Sequence, residues 1–243
     1  MISMTASKRQ GGHPGWDPKF YPITVDPDWK TVPIETSYYG KANPETLAIF
    51  QELQPGARVL DVGGGDGQIA FPLAQDQGFQ VDVMDIDELH LAQLVKRAAL
   101  LTQGKLTPIQ FDAFNPYDFV TKPEQPGGKD SRYDAVLNAG FGYLFPPEKL
   151  EAMFRNMADA MKPGGLMVWE FSTERFRLDH EETLLPEGGN VQKYSLQQGK
   201  EILRRLYSSY GIELAPMIIK PVAKVTPDYV LHSTLITAHG RKQ

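Results

Sequence analysis

Asp61-Val62-Gly63-Gly64-Gly65-Asp66-Gly67, entered through Ala57-Arg58-Val59-Leu60 and left through Gln68-Ile69-Ala70, decides how this chain reads. The apolar run up to Val62 reads as a buried strand, the glycines as a tight turn, and the residues from Gln68 as the start of a helix. Gly63, Gly65 and Gly67 put no Cβ in the way, so the backbone can turn sharply and approach a ligand within van der Waals distance. The helix that follows offers free N–H groups and the positive end of its dipole to whatever occupies the turn. Such a loop suits a nucleotide-like ligand.

Spacing narrows the ligand. A dinucleotide fingerprint needs Gly-x-Gly-x-x-Gly, with the third glycine where the helix packs on the strand. Counted from Gly63, that place is held by Gln68, and the pattern fails. What stands instead is an acidic residue, one spacer and Gly-x-Gly-x-Gly. This resembles motif I of the class I S-adenosylmethionine (SAM) methyltransferases, in which an acidic residue ends strand one. SAM has no phosphate, and a carboxylate beside the loop suits its cationic parts. The resemblance implies that Asp61, Gly63, Gly64, Gly65 and Gly67 line the cofactor. A glycine-rich turn with no ligand is the competing reading.

Composition sets the class. With 243 residues, 41% hydrophobic and 23% charged, the chain can build one α/β domain with a full core and modest additions. A net charge of −5 argues against a protein that coats nucleic acid or an anionic membrane. The absence of cysteine excludes disulfides, thiolate nucleophiles and Cys-ligated zinc. No stretch reaches transmembrane length, and Met1 to Gly15 lacks the apolar core of a signal peptide, so a cytoplasmic protein is expected.

Strands and helices alternate along the chain. Residues 1–40, rich in Pro, Gly, aromatics and charge, read as a tail and irregular arm, and residues 41–243 as the domain. Asn43-Pro44 caps a helix to about Leu53. Strands are expected at 58–62, 79–84, 107–111, 133–137 and 166–171, with two more near 212–219 and 229–238. Leu91, Leu94, Val95 and Ala98 stripe one helix, and Leu150, Met153, Phe154, Met157 and Met161 stripe another; the methionines read as core filling. Ser195 and Gln198 form a capping box for a helix carrying Leu203, Leu206, Tyr207 and Tyr210. The stretches 112–131 and 172–194 read mainly as loop and polar connection. Alternation of this kind implies a mostly parallel sheet with helices on both faces. The resemblance, which spans about residues 42–238, makes this an α/β fold with a seven-stranded, mostly parallel sheet whose last strand is antiparallel.

Candidate site residues fall at strand ends, where open α/β sheets bind ligands. Asp85, followed by Ile86, closes strand two where a carboxylate can accept both ribose hydroxyls. NAD enzymes share that role, so Asp85 indicates a nucleoside without choosing the cofactor. By resemblance, Asp112 and Ala113 meet the adenine, and Asn138 and Ala139 lie beside the methionine part. Met161-Lys162-Pro163-Gly164-Gly165 resembles the family's turn before strand five and is assigned no ligand. The resemblance also makes the N-terminal arm a lid, with Tyr39 over the methionine moiety.

The reaction implied is in-line methyl transfer to a small organic acceptor, with S-adenosylhomocysteine as product. Asn138-Ala139-Gly140-Phe141 is not the Pro-Pro-aromatic sequence of amino methyltransferases acting on adenine, cytosine or glutamine. Tyr143 is a candidate for orienting the acceptor, His180 for a base, and Glu170 for a cleft carboxylate or a cation's partner. Tyr143 has an alternative in packing, and His180 in solvation. Aromatics at Tyr38, Tyr39, Phe141, Tyr143, Phe145, Trp169 and Phe171 suggest an apolar or aromatic pocket. His13, His90, His232 and His239 have no convergent spacing, and no metal is expected. The atom methylated and the oligomeric state are open. A methyltransferase acting on RNA or protein, or a non-catalytic SAM-binding protein, are the alternatives.

Overall fold

The computed structural model describes residues 41–114, 133–185, 192–225 and 229–243. The expected 1–40 arm with Tyr39, and most of the 112–131 loop, lie outside them. Five strands pair in parallel: β1 (Arg58–Val62), β2 (Gln80–Asp85), β3 (Lys105–Gln110), β4 (Tyr133–Ala139) and β5 (Met161–Leu178), in the order β3-β2-β1-β4-β5. The same path continues through β9 (Val230–Lys242), antiparallel to β5, and ends at β7 (Ile212–Leu214), antiparallel to β9. This seven-strand path has the expected single reversed strand. Two further strands, β6 (Leu184–Leu185) on β5 and β8 (Ile218–Val225) on β9, bring the sheet to nine among the described residues.

Side chains alternate across each strand, so every central strand feeds two cores. Val59, Ala135, Leu137 and Val168 face helices α1 (Pro44–Phe50), α2 (Ala70–Gln77) and α3 (Glu88–Ala98), burying Phe50, Leu73 and Leu94 between them. Leu60, Val136, Met167 and Trp169 face α4 (Pro147–Ala160) and α5 (Leu196–Ser209), against Phe154, Met157, Leu203 and Tyr207. Asn43 caps α1 by accepting from the Glu45 N–H, and both halves of the Ser195–Gln198 capping box are made at α5. The Lys162–Gly165 turn serves the fold. The Lys162 ammonium pairs with Asp134 at 2.7 Å, and the other Asp134 oxygen accepts from the Arg58 N–H at 2.9 Å.

Three expectations change. Met161 leaves α4 at its C-cap and pairs with Tyr133 as the first residue of β5. The stretch after Phe171 is not a simple polar connection: β5 continues to Leu178 and returns as β6. The expected strand at 212–219 divides into β7 and the start of β8, on either side of Ala215-Pro216. No helix among the described residues is long and apolar enough to cross a membrane.

Candidate functional site

The glycine loop folds over the end of β2. The N–H groups of Gly63 and Gly64 both donate to the Met84 carbonyl, at 2.8 and 3.1 Å, and the Gly67 N–H donates to the Gly64 carbonyl at 2.9 Å. Gly63, Gly65 and Gly67 take φ of 71°, 56° and 83°, the left-handed region that side chains disfavour. Gly64 needs its lack of a side chain for a different reason. A Cβ there would lie 2.6 Å from both the Asp61 carboxylate and Val83. The glycines of the sequence are therefore demanded by this backbone.

Three carboxylates surround it. Asp61 is buried on β1, and its Oδ1 accepts no hydrogen bond. Burial first, then the charges of Asp85 and Glu170, push its pKa up to about 8. Asp85, at the end of β2, accepts from the Gly65 N–H at 2.9 Å through Oδ2 and from the Asp87 N–H at 2.8 Å through Oδ1. His90 Nδ1 lies 3.5 Å from the same Oδ1. Burial lowers the His90 pKa, but Asp85, Asp87 and Asp66 outweigh it, and the imidazole is held above its ordinary value. Glu170 is roofed by the start of α1, where Thr46 and Asn43 donate to its Oε1, the latter at 3.0 Å. Its pKa is raised because burial outweighs those donors. Lys220 donates to Asn43 Oδ1 at 2.7 Å and pairs with Glu45, so the cation near Glu170 sits behind the cap of α1.

Asn138 donates to the Val62 carbonyl at 2.8 Å, pinning β4 to the strand that feeds the glycine loop, while its Oδ1 is buried without a donor. Ala139 is half-buried beside it. Gly140, with φ of 68°, then turns the chain so that the Phe141 ring covers Gly63, where a Cβ would meet it at 2.9 Å. Asp112 and Ala113 follow β3, which is tied to β2's end by the Phe111 N–H donating to the Asp85 carbonyl at 3.0 Å. Asp112 accepts from the Phe114 N–H at 2.9 Å, and the Ala113 carbonyl from Asn156 at 2.9 Å. Ile86 is exposed at 37% beyond Asp85.

The structure thus gathers Asp61, the glycine loop, Asp85, Asn138 and Ala139 at the carboxyl ends of β1, β2 and β4, with Asp112 and Ala113 one strand further out. Tyr143 lies in a short 3-10 turn (Gly142–Leu144) just after Phe141, and the Arg175 guanidinium stacks over its ring at 3.8 Å. His180 is not brought to this cluster. It is exposed in the turn between β5 and β6, where Asp179 accepts from the N–H groups of Glu181 and Thr183, well past Glu170 along the strand. Trp169 and Phe171 are both fully buried in the core. Tyr39 lies outside the described residues. Two nearby residues were not anticipated, His90 and Arg175. His90 is the third residue of α3 after the Asp87 cap, a place from which a side chain reaches back toward the cap, so its spacing carried a signal. Arg175 carried none.

A family model described as a methyltransferase domain matches residues 36–211. The chain belongs to that methyltransferase family. It is 31% identical over 188 residues to the ubiquinone/menaquinone biosynthesis C-methyltransferase UbiE of Coxiella burnetii, an alignment covering 75% of this chain and 61% of that protein. The chain therefore spans about three-fifths of the length of this relative. Among solved structures, the magnesium protoporphyrin IX methyltransferase (ChlM) of Synechocystis with bound SAM matches with a TM-score of 0.60 at 17% identity, covering 92% of this chain and 94% of that one. A SAM-dependent methyltransferase of Methanosarcina mazei matches with a TM-score of 0.61 at 17% identity, covering 83% and 98%. These likenesses fix the fold as the methyltransferase α/β sheet.

Proposed function

We propose that this chain is a SAM-dependent methyltransferase acting on a small organic acceptor. The observation that supports it is the left-handed glycine turn closed between the buried Asp61 and the half-buried Asp85 at the carboxyl edge of the sheet. An unpartnered Asp61 oxygen and a loop with no room for a Cβ at Gly64 fit a cationic, phosphate-free nucleoside. Asp61 and the backbone of Gly63, Gly64, Gly65 and Gly67 would hold the amino-acid end. Asp85, with Ile86 beside it, would take the ribose hydroxyls, and Asp112 and Ala113 the adenine. Asn138 and Ala139 would set the wall beside the sulfur.

Bound there, the cofactor supplies an electrophilic sulfonium methyl. The protein's work is to align the acceptor's electron pair with it, and such alignment is worth about 7–11 kcal/mol. Tyr143 stands after the loop that covers Gly63 and is the residue we assign to orienting the acceptor. Residues 41–243 form the catalytic domain in this reading, and the reaction takes place in the cytoplasm. The relatives named as C-methyltransferases support a small acceptor and make carbon the first atom to test.

The test is incubation of the protein with methyl-labelled SAM and fractionated host metabolites, followed by mass spectrometry. A labelled small molecule together with S-adenosylhomocysteine is the expected result. Cofactor that stays intact with every fraction overturns the assignment.

A further inference from the structure

We propose that Arg175, stacked on Tyr143, forms an anion-recognising corner of the acceptor site, so that the methyl acceptor carries a carboxylate. This rests on the methyltransferase reading above and adds the chemical class of its substrate.

Three observations carry it. The first is a kink in β5. Thr173 pairs with Thr234 and Phe176 with His232, so Glu174 and Arg175 together oppose the single residue Ser233. Glu174 takes a φ of 52°, left-handed for a non-glycine residue, and its N–H donates to the Tyr194 carbonyl at 2.8 Å. A two-against-one bulge of this kind bends the strand and re-aims a side chain, and a left-handed glutamate persists only where its surroundings hold it. Here the side chain it re-aims is Arg175.

The second is what Arg175 meets. Its guanidinium carbon lies 3.8 Å from the centroid of Tyr143, so the ring covers one face of the group. Its Nε is shielded from solvent yet donates to nothing among the described residues. Guanidinium donors lie in the plane of the group, where a stacked ring does not use them, and their fork matches a carboxylate. Elsewhere in the fold Arg58 pairs with Asp82 and Arg97 with Asp66, whereas no described carboxylate pairs with Arg175.

The third is location. Tyr143 is in the turn that begins at Phe141, whose ring covers Gly63. That turn also rests on the buried Trp169 and Phe171, which a Cβ on Gly142 would meet at 2.9 and 3.2 Å. The cation is therefore held on the extended part of β5 against the post-β4 loop, whose Phe141 covers the glycine turn. An acceptor with an aromatic or apolar body and one carboxylate fits the surfaces present.

The experiment separates host metabolites on an anion exchanger and offers retained and unretained fractions to the protein with labelled SAM. S-adenosylhomocysteine binding is measured in parallel by calorimetry. Label is expected from the retained fraction and is expected to disappear when its carboxylates are chemically esterified. Arg175→Gln should lower turnover of that fraction about tenfold to a hundredfold through the acceptor KM, the loss of a charge-assisted pair. Arg175→Lys should recover part of it, and both variants should bind S-adenosylhomocysteine as the parent does. Label from the unretained fraction alone, label that survives esterification, or an Arg175→Gln variant as active as the parent overturns the proposal. A parent protein that binds S-adenosylhomocysteine but labels neither fraction contradicts the methyl-transfer reading beneath it.

Discussion

The carboxylate of Asp85 accepts a 2.9 Å hydrogen bond from the backbone N–H of Gly65, joining the end of β2 to the glycine loop of β1. The residue expected to take a ribose thus also shapes the loop that would take the rest of the cofactor. Asp85→Ala should weaken SAM at least about tenfold, because hydrogen bonds to charged groups contribute about 1.5–3 kcal/mol each. Calorimetric titration of parent and variant checks this; equal affinity refutes the role.

Asp61 makes cofactor binding and stability depend on pH. Its pKa is near 3.8 in the unfolded chain and about 8 in the fold, so its contribution to stability is complete below the lower value and is lost as pH rises through the upper one. Asp61→Asn should therefore flatten the fall in Tm between about pH 4 and about pH 8. Placing a cationic cofactor beside Asp61 favours its ionised form. SAM affinity should rise as pH approaches 8, with release of about one proton near neutrality. Calorimetry in buffers of differing ionisation enthalpy measures that proton, and a value of zero contradicts the assignment.

Gly64→Ala tests the loop's packing without altering charge. Its Cβ would lie 2.6 Å from the Asp61 carboxylate and Val83, so the loop must shift. Thermal melting should show a loss of about 1–3 kcal/mol, as in overpacked cores, and SAM affinity should fall with it. A variant indistinguishable from the parent in both would show that the loop is not held as described.

Asn43 connects α1 to the sheet. It accepts from the Glu45 N–H and from Lys220, and it donates to Glu170. Asn43→Ala removes a helix cap and one of the donors to a buried carboxyl group. It should cost about 1–3 kcal/mol in denaturant unfolding. The companion Thr46→Val, which removes the other side-chain donor to Glu170, should be destabilising as well.

Local signals made much of this architecture legible. The strand before Gly63, the Asn43 and Ser195 caps, the α3 stripe and Asp85 are all written within a few residues of where they act, so short-range pattern finds them. The strand order was not legible, because parallel pairing joins residues distant in sequence; resemblance implied only seven strands with the last one antiparallel. β5 beyond Phe171 was missed for a physical reason. The bulge at Glu174 and Arg175 breaks the period-two alternation, and Glu174, Arg175 and Arg177 read as solvated polar chain. Arg175 became visible only through β5's pairing with β9 and its contact with Tyr143. The burial of Glu170 under α1 likewise depends on contacts spanning more than a hundred residues.

In the proposed function this loop holds SAM and not a dinucleotide, because Gln68 stands where the dinucleotide fingerprint needs glycine. Parallel calorimetric titrations with S-adenosylhomocysteine and with NAD test it most directly. Saturable binding of S-adenosylhomocysteine at one site per chain, with no heat from NAD, is the result this account predicts. Binding of NAD with none of S-adenosylhomocysteine, or of neither, would contradict it.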